Sequence, residues 1–338
     1  MGYREINALN QSILKKIFIS PQSFLQASKK QEFEEEEIKE HFVFGSVLDI
    51  MLTGNKQEFD SKFLKVPDKN KCSDAIKKIV DDAFLELEDK SLAVDSDEMK
   101  LLILKYCELN DYQPKWKPET KVNKVIEEAG DYFEQLKTLE GKIPVTESDY
   151  AKAVMCVIAL KSNEFTEKYT NPKLSKNECE FLNKFIIQFE FQGLKIKGEL
   201  DRVIINHTEK TITPIDFKST GKSIYGFIND FWYYRYDFQA AVYTRGLFEH
   251  PDIRKLLENN YSLNPFLYIA VESNLIGPPM VFEVTPEAIE IGFSGGIVNK
   301  KTYEGFEQAI ARYKYAQEND RWEYPMEYYE SGKMLITV

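Results

Sequence analysis

A chain of 338 residues, 43% hydrophobic and 29% charged, can bury one large core or two and has the composition of an ordinary globular protein. Its net charge of −11 argues against a protein that coats nucleic acid nonspecifically, since such binding depends on many Lys and Arg contacts, yet it leaves room for an enzyme with a local basic track. No apolar run approaches the roughly 20 residues needed to cross a bilayer, and the start Met1-Gly2-Tyr3-Arg4-Glu5-Ile6 lacks the apolar region of a signal peptide, so a cytoplasmic protein without a membrane partner is expected.

Residues 9–17 and 20–25 read as two short helices, the second with Ser20 as N-cap and Pro21 at the first helical position. The acidic run 34–37 reads as the exposed first turns of a further helix, because acids favour helix N-termini. That helix continues into Phe42-Val43-Phe44-Gly45-Ser46-Val47-Leu48-Asp49-Ile50-Met51-Leu52, apolar on nearly every side and carrying one charge. A buried carboxylate is costly unless it is paired or bound to metal, so Asp49 is either a metal ligand or an acid paired with an Arg or capping a helix. Helical periodicity then returns over 76–85, 99–109 and 122–139, between polar loops and without catalytic signals. These segments predict a helical insertion or subdomain over 67–140 within a single domain spanning 1–338. Thr146-Glu147-Ser148-Asp149 opens the next helix in the manner of a capping box.

Strands begin near Glu180. Phe185-Ile186-Ile187-Gln188-Phe189-Glu190-Phe191 alternates, Gln192-Gly193 reads as a turn, and the chain returns over 194–205, which includes Gly198-Glu199-Leu200-Asp201-Arg202-Val203. After the turn cluster 206–210 comes Ile212-Thr213-Pro214-Ile215-Asp216-Phe217-Lys218-Ser219-Thr220. Side chains in a strand alternate faces, so Asp216 and Lys218 share one face and a hairpin can bring Asp201 onto it. Two carboxylates held close disfavour each other's ionisation unless a cation lies between them. Carboxylate oxygens, a backbone carbonyl and waters suit Mg²⁺ or Mn²⁺, and a nearby lysine can orient water or neutralise phosphate charge. The alternative is a solvated hairpin whose Asp and Lys pair with one another. Glu190 on the preceding strand and Glu199 beside Asp201 are further acidic candidates.

Beyond Lys218, Phe227, Phe231, Trp232, Tyr233, Tyr234 and Tyr236 read either as core packing or as stacking surfaces for unpaired bases, with Arg235 and Arg245 as candidates for phosphate contacts. In the next helix Gln239 and Tyr243 share a face. Lys195 and Lys197 are candidates for a basic track. Residues 265–272 and 280–284 complete the sheet, and Thr285-Pro286 caps a long terminal helix running through Tyr315. Cys72, Cys107, Cys156 and Cys179 are scattered without a C-x-x-C, which argues against zinc, an iron–sulphur cluster or a disulfide framework.

Three motifs in order, Gly198-Glu199-Leu200-Asp201, Asp216-Phe217-Lys218 and Gln239-Ala240-Ala241-Val242-Tyr243, resemble the G-x-x-D strand, D-x-K strand and Q-x-x-x-Y helix of the PD-(D/E)XK nuclease superfamily, specifically its RecB-like and RecE-like branch. The resemblance implies an α/β fold with a restriction-endonuclease-like core, a central mixed β-sheet flanked by helices. It implies that Asp201 and Asp216 bind metal, that Phe217 adds its backbone carbonyl, that Lys218 is the catalytic lysine, and that Gln239 and Tyr243 face the site and the DNA. A G-x-x-x-H helix in that branch supplies a histidine to the metal; here Gly45 and Asp49 stand at those positions, so Asp49 replaces the histidine as a ligand, with a changed metal preference or a drifted site as the consequence. Relatives often carry a glutamate where this chain has Glu190. The beginning of the chain and Trp322-Glu323-Tyr324-Pro325 also resemble RecE-like domains, whereas 67–140 fits least.

The implied activity is Mg²⁺- or Mn²⁺-dependent DNA hydrolysis by a 5′-to-3′ double-strand exonuclease that leaves single-stranded overhangs for recombination or repair. Such enzymes are often encoded by bacteriophages, which would place the protein in the host cytoplasm. The implied partners are double-stranded DNA ends, further copies of the chain in a ring, and a single-strand annealing protein. The alternatives are an endonuclease or single-strand-specific nuclease of the same superfamily, and a catalytically degenerate fold that binds DNA or protein.

Overall fold

A computed structural model describes residues 3–33, 40–68, 72–139, 141–172 and 178–334; the acidic run 34–37 lies outside them. The chain divides into two units, one formed by Met1–Gly54 with Ala153–Val338 and the other by Asn55–Lys152.

The first unit opens with β1 (Leu9–Asn10), α1 (Gln11–Leu14), α2 (Pro21–Phe33) and α3 (Glu40–Thr53). The chain returns to it within a helix, α8 (Glu147–Ser162), and continues through α9 (Glu167–Thr170), β4 (Cys179–Phe191), β5 (Leu194–Asn206) and β6 (Thr211–Thr220). Next come α10 (Phe227–Tyr233), α11 (Tyr236–Glu249), α12 (Pro251–Glu258), β7 (Ser262–Leu263), β8 (Leu267–Glu272) and β9 (Met280–Glu283). The end of the chain holds α13 (Pro286–Ser294), β10 (Gly296–Val298), β11 (Lys301–Tyr303), α14 (Phe306–Asn319) and α15 (Met326–Ser331).

Local chemistry explains many of these boundaries. The Ser20 hydroxyl accepts from Ser23 N–H at 2.9 Å and caps α2, and Thr146 caps α8 by accepting from Asp149 N–H at 3.1 Å. Gln192 and Gly193 both take positive φ, 49° and 80°, which closes the β4–β5 hairpin in two residues. The sheet runs β1-β5-β6-β8-β9, with β4 on β5 and β7 on β6. It is mixed: β4–β5, β5–β6 and β8–β9 are antiparallel, whereas β6–β8 and β1–β5 are parallel. The parallel β6–β8 step requires a crossover, which α10, α11 and α12 supply.

Helices cover both faces. Leu14, Phe24, Phe238, Val242 and Ile310 pack against one face of the sheet, and Leu48 and Leu52 of α3 with Cys156 and Leu160 of α8 pack against the other. On β6, Ile215 and Phe217 point toward α3, while Asp216 and Lys218 point toward α11, as strict alternation requires. The first unit is thus an α/β assembly with a central mixed sheet, consistent with a restriction-endonuclease-like core.

One rung breaks the alternation. On β5 the residues facing the α11 core are Ile196 and Leu200, then Val203 and Ile205; on β4 they are Leu182, then Phe185, Ile187 and Phe189. Both strands therefore switch faces at Lys184 and Asp201. These two stand opposite each other between the paired rungs Asn183–Arg202 and Phe185–Leu200 but do not join the ladder, and Lys184 adopts φ 51°. A non-glycine residue held in the left-handed region costs about 1–3 kcal/mol and persists where its surroundings impose it.

The ends of the chain differ from the sequence reading. Residues 9–17 are a short strand, a single helical turn capped by Asn10 and a 3₁₀ turn rather than one helix. The expected long terminal helix stops at Ser294, because Gly295 takes φ 82° and the β10–β11 hairpin follows, turning on Asn299 and Lys300 at φ 49° and 65°. Upstream of the break α13 lies close against α11: a Cβ at Gly292 would sit 2.1 Å from the carbonyl oxygen of Asp237. Gly292→Ala is therefore expected to cost about 1–3 kcal/mol, measured as a lower urea midpoint at unchanged m-value.

The second unit contains α4 (Lys56–Lys62), β2 (Phe63–Val66), α5 (Asp74–Glu86), α6 (Asp97–Leu109), α7 (Pro118–Leu139) and β3 (Ile143–Thr146). Ile76, Val80, Ile103, Cys107, Val125 and Phe133 form its own core, and β2 pairs with β3 in parallel. Among the described residues no helix is long and apolar enough to cross a membrane.

Candidate active site

The position of the site follows from how β5 shares its edges. β4 runs along one edge; on the other, β1 pairs with Ile196 and Lys197, and β6 pairs from Arg202 onward. Between them, among the described residues, 198–201 has no strand neighbour on that side, and β6 continues past Ile215 beside β8 instead. Asp201 fills this opening. Its Oδ2 accepts from the Phe217 N–H at 2.8 Å, taking the place of a ladder hydrogen bond.

Asp216, only 3% exposed, reaches the same place from β6, and its Oδ1 accepts from Gln239 Nε2 of α11 at 2.9 Å. Its Oδ2 forms an ion pair with the Lys218 ammonium but receives no well-directed hydrogen bond. The Lys218 ammonium lies 4.9 Å from the centre of the Tyr236 ring and 5.6 Å from that of Tyr268. Asp49 approaches from α3. Lys184 of β4 bridges it to Asp201, pairing with Asp49 Oδ2 and donating to Asp201 Oδ1 at 3.1 Å.

Crowding of like charges in a dry place has electrostatic consequences. Burial, opposed by Lys218 and reinforced by Asp201 and Asp49, raises Asp216 to about 7. Burial and the neighbouring Asp201, against the pull of Lys184, raise Asp49 to about 6. Burial alone would lower both lysines, but Asp216 at Lys218, and Asp201 with Asp49 at Lys184, outweigh it and hold the ammoniums above their ordinary value.

Both carboxyls thus titrate above the ordinary carboxylate value of 3.8, so the folded chain holds extra protons up to about pH 7. The resulting contribution to stability is full at the acid end of that window and is lost as pH rises through it. Without divalent cations, the unfolding free energy is expected to fall from about pH 5 to about pH 8 more steeply in the native chain than in Asp216→Asn, as read by urea titrations at each pH.

The donor chemistry fits a hard divalent cation: carboxylate oxygens from three elements, and two acids whose ionised forms call for more positive charge. Among the described residues no three acidic, histidine or cysteine side chains form a ready-made cage. Lys184 and Lys218 instead stand against the oxygens that a cation would use.

Other expected site residues fare differently. Gln239 joins the acids, and its Oε1 also accepts from the Tyr268 hydroxyl at 3.3 Å. Tyr243 is buried over Gly198, where a Cβ would approach its ring to 2.6 Å, and its hydroxyl lies beside the Gln239 side chain and near Asp216, so it backs the site from the core. Glu190 is exposed and opposite Lys195, six residues along β4 from Lys184, or about 20 Å, and stays outside the site. Glu199 falls on the far side of the face change, near Tyr3.

Arg235 is committed to Asp237 at 3.0 Å and to the Glu304 carbonyl, so it braces the start of α11 instead of reaching phosphate. Arg245 pairs with Glu249 at 2.7 Å and is turned about 120° around α11 from Gln239. Lys197 is buried and donates to the carbonyls of Tyr3 and Ile6.

Three cations went unassigned in the sequence: Lys184, Arg202 and Lys15. Arg202 is 1% exposed and donates to Asn183 Oδ1 at 2.8 Å and to the carbonyls of Tyr169 and Leu52 at 2.7 Å each. Asn183 in turn donates to the Thr53 carbonyl at 2.7 Å. Strands β4 and β5 thereby satisfy the terminal carbonyls of α3, one turn beyond Asp49. Lys15 donates to the Tyr234 carbonyl at 3.1 Å, and burial, with Lys218 and Arg235 nearby, lowers it to about 8. The signal for the first two was present in the polar doublets Asn183-Lys184 and Asp201-Arg202, which interrupt otherwise alternating strands.

No family model matches the chain, and no curated protein matches it. Among solved structures it is similar to one described as "Putative exonuclease" from Eubacterium rectale, at 13% identity and a TM-score of 0.33, over 84% of this chain and 92% of that one. At that level of likeness neither a family nor an activity passes from that protein to this chain.

Proposed function

We propose that the chain is a nuclease that hydrolyses phosphodiester bonds in DNA and depends on a divalent cation, Mg²⁺ or Mn²⁺. The observation that carries this reading is the convergence of Asp201, Asp216 and Lys218 where β5 and β6 part, with Gln239 fixing one oxygen of Asp216. Asp201, Asp216, Asp49 and the Phe217 carbonyl are the groups that would hold the cation. When bound, it supplies Lewis-acid stabilisation of the charge that grows on the phosphate oxygens.

The protein's own groups divide the remaining work. Because Asp216 holds Lys218 above its ordinary value, Lys218 stays an ammonium at neutral pH. It therefore neutralises phosphate charge and orients the attacking water, and does not serve as a general base. Gln239 keeps the Asp216 carboxylate in one orientation. Lys15, close to Lys218, adds a second positive group for the backbone of the nucleic acid.

The finer reading rests on the three-motif resemblance: a RecE-like enzyme that works 5′-to-3′ from double-stranded ends, as a ring of copies, and hands its overhang to an annealing protein. Digestion of linear and circular duplexes with blocked 5′ or 3′ ends tests it. Resection of linear DNA that stops when 5′ ends are blocked is expected; cutting of circular duplex favours an endonuclease. A second reading, a degenerate fold that only binds, is favoured by Lys184 standing between Asp49 and Asp201. It predicts DNA binding without cleavage in both Mg²⁺ and Mn²⁺.

A further inference from the structure

We propose that Lys184 is a resident cation of this site, which holds Asp49 and Asp201 together and must be displaced before a divalent cation can gain both acids. The proposal rests on the metal-dependent reading above.

Three features of the chain support it. The ammonium of Lys184 pairs with oxygens of both acids at once. Its backbone takes φ 51° at the rung where the β4–β5 ladder is interrupted, a conformational cost that a solvated lysine on a strand would not need to bear. Arg202 is close enough for its charge to act on both acids, but its hydrogen bonds go to Asn183 and to the carbonyls of Tyr169 and Leu52, and it is Lys184 that touches the acid oxygens. A lysine is suited to reversible occupancy, because its compact charge sits on a flexible four-carbon stem that can swing to solvent when a doubly charged ion takes its place.

The test is calorimetric titration of the full chain with Mn²⁺. Lys184→Met is expected to bind Mn²⁺ about tenfold or more tightly than the unmodified chain, and Lys184→Arg no more tightly than it. Because Lys184→Met leaves two acids facing each other, a second measurement uses the unmodified chain: acetylation of Lys184 by acetic anhydride, followed by peptide mass spectrometry with and without Mg²⁺. Saturating Mg²⁺ is expected to raise the modification severalfold as the ammonium is released. Unchanged Mn²⁺ affinity in folded Lys184→Met, or acetylation indifferent to Mg²⁺, overturns the proposal and leaves the nuclease reading intact. Absence of Mn²⁺ binding to either chain overturns both.

Discussion

Lys218→Met is expected to slow DNA cleavage by at least about 10²-fold while the chain remains folded, the size of effect seen when one preorganised charge or donor is taken from a transition state. The loss falls on chemistry because Lys218 is the ammonium paired with Asp216, poised over Tyr236 and Tyr268. Folding is spared because Asp216, already raised to about 7, can take up a proton when its partner is gone, so no bare charge is stranded in the interior. Single-turnover cleavage alongside circular dichroism separates the two effects. Cleavage within about threefold of the native rate would remove Lys218 from the mechanism.

The largest loss of stability is expected from Arg202→Met, about 3–5 kcal/mol by urea denaturation. The guanidinium lies between the rings of Phe181 and Phe217, at 5.4 and 5.3 Å from their centres, and carries hydrogen bonds to Asn183, Tyr169 and Leu52. Methionine fills the space but leaves two carbonyls without their donor, each a cost of about 1–3 kcal/mol when buried. Since one of them belongs to the last turn of α3, the same substitution should loosen the helix that presents Asp49 and weaken Mn²⁺ binding. A change below about 1 kcal/mol would show that the α3 carbonyls find other donors.

The parts of the molecule legible in the sequence were those governed by neighbours in the chain. Pro214-Ile215-Asp216-Phe217-Lys218 alternates cleanly, so the shared face of Asp216 and Lys218 could be read directly, and Gln192-Gly193 and Ser20-Pro21 carry turn and cap chemistry in two residues. Lys184 and Arg202 were hidden because their roles depend on a face change in two strands at one rung, which in either strand alone looks like an ordinary polar doublet.

Arg235 and Arg245, expected as phosphate contacts, have protein partners that residue type does not reveal: Asp237 and the Glu304 carbonyl hold one, Glu249 the other. Glu190 was misplaced because alternation gives a side chain's face but not its distance along the strand. The parallel pair β2 and β3 lies far apart in the chain, and four residues each leave too little periodicity to detect.

Incubation of end-labelled linear duplex DNA with the purified chain and with Asp216→Asn, in Mg²⁺, in Mn²⁺ and in chelator, tests most directly whether these acids and this lysine form a cation-dependent cleaving centre. The native chain should release labelled nucleotides in at least one of the two ions and none in chelator, and Asp216→Asn none in any condition. Intact DNA with both ions, or undiminished release by Asp216→Asn, would contradict the assignment.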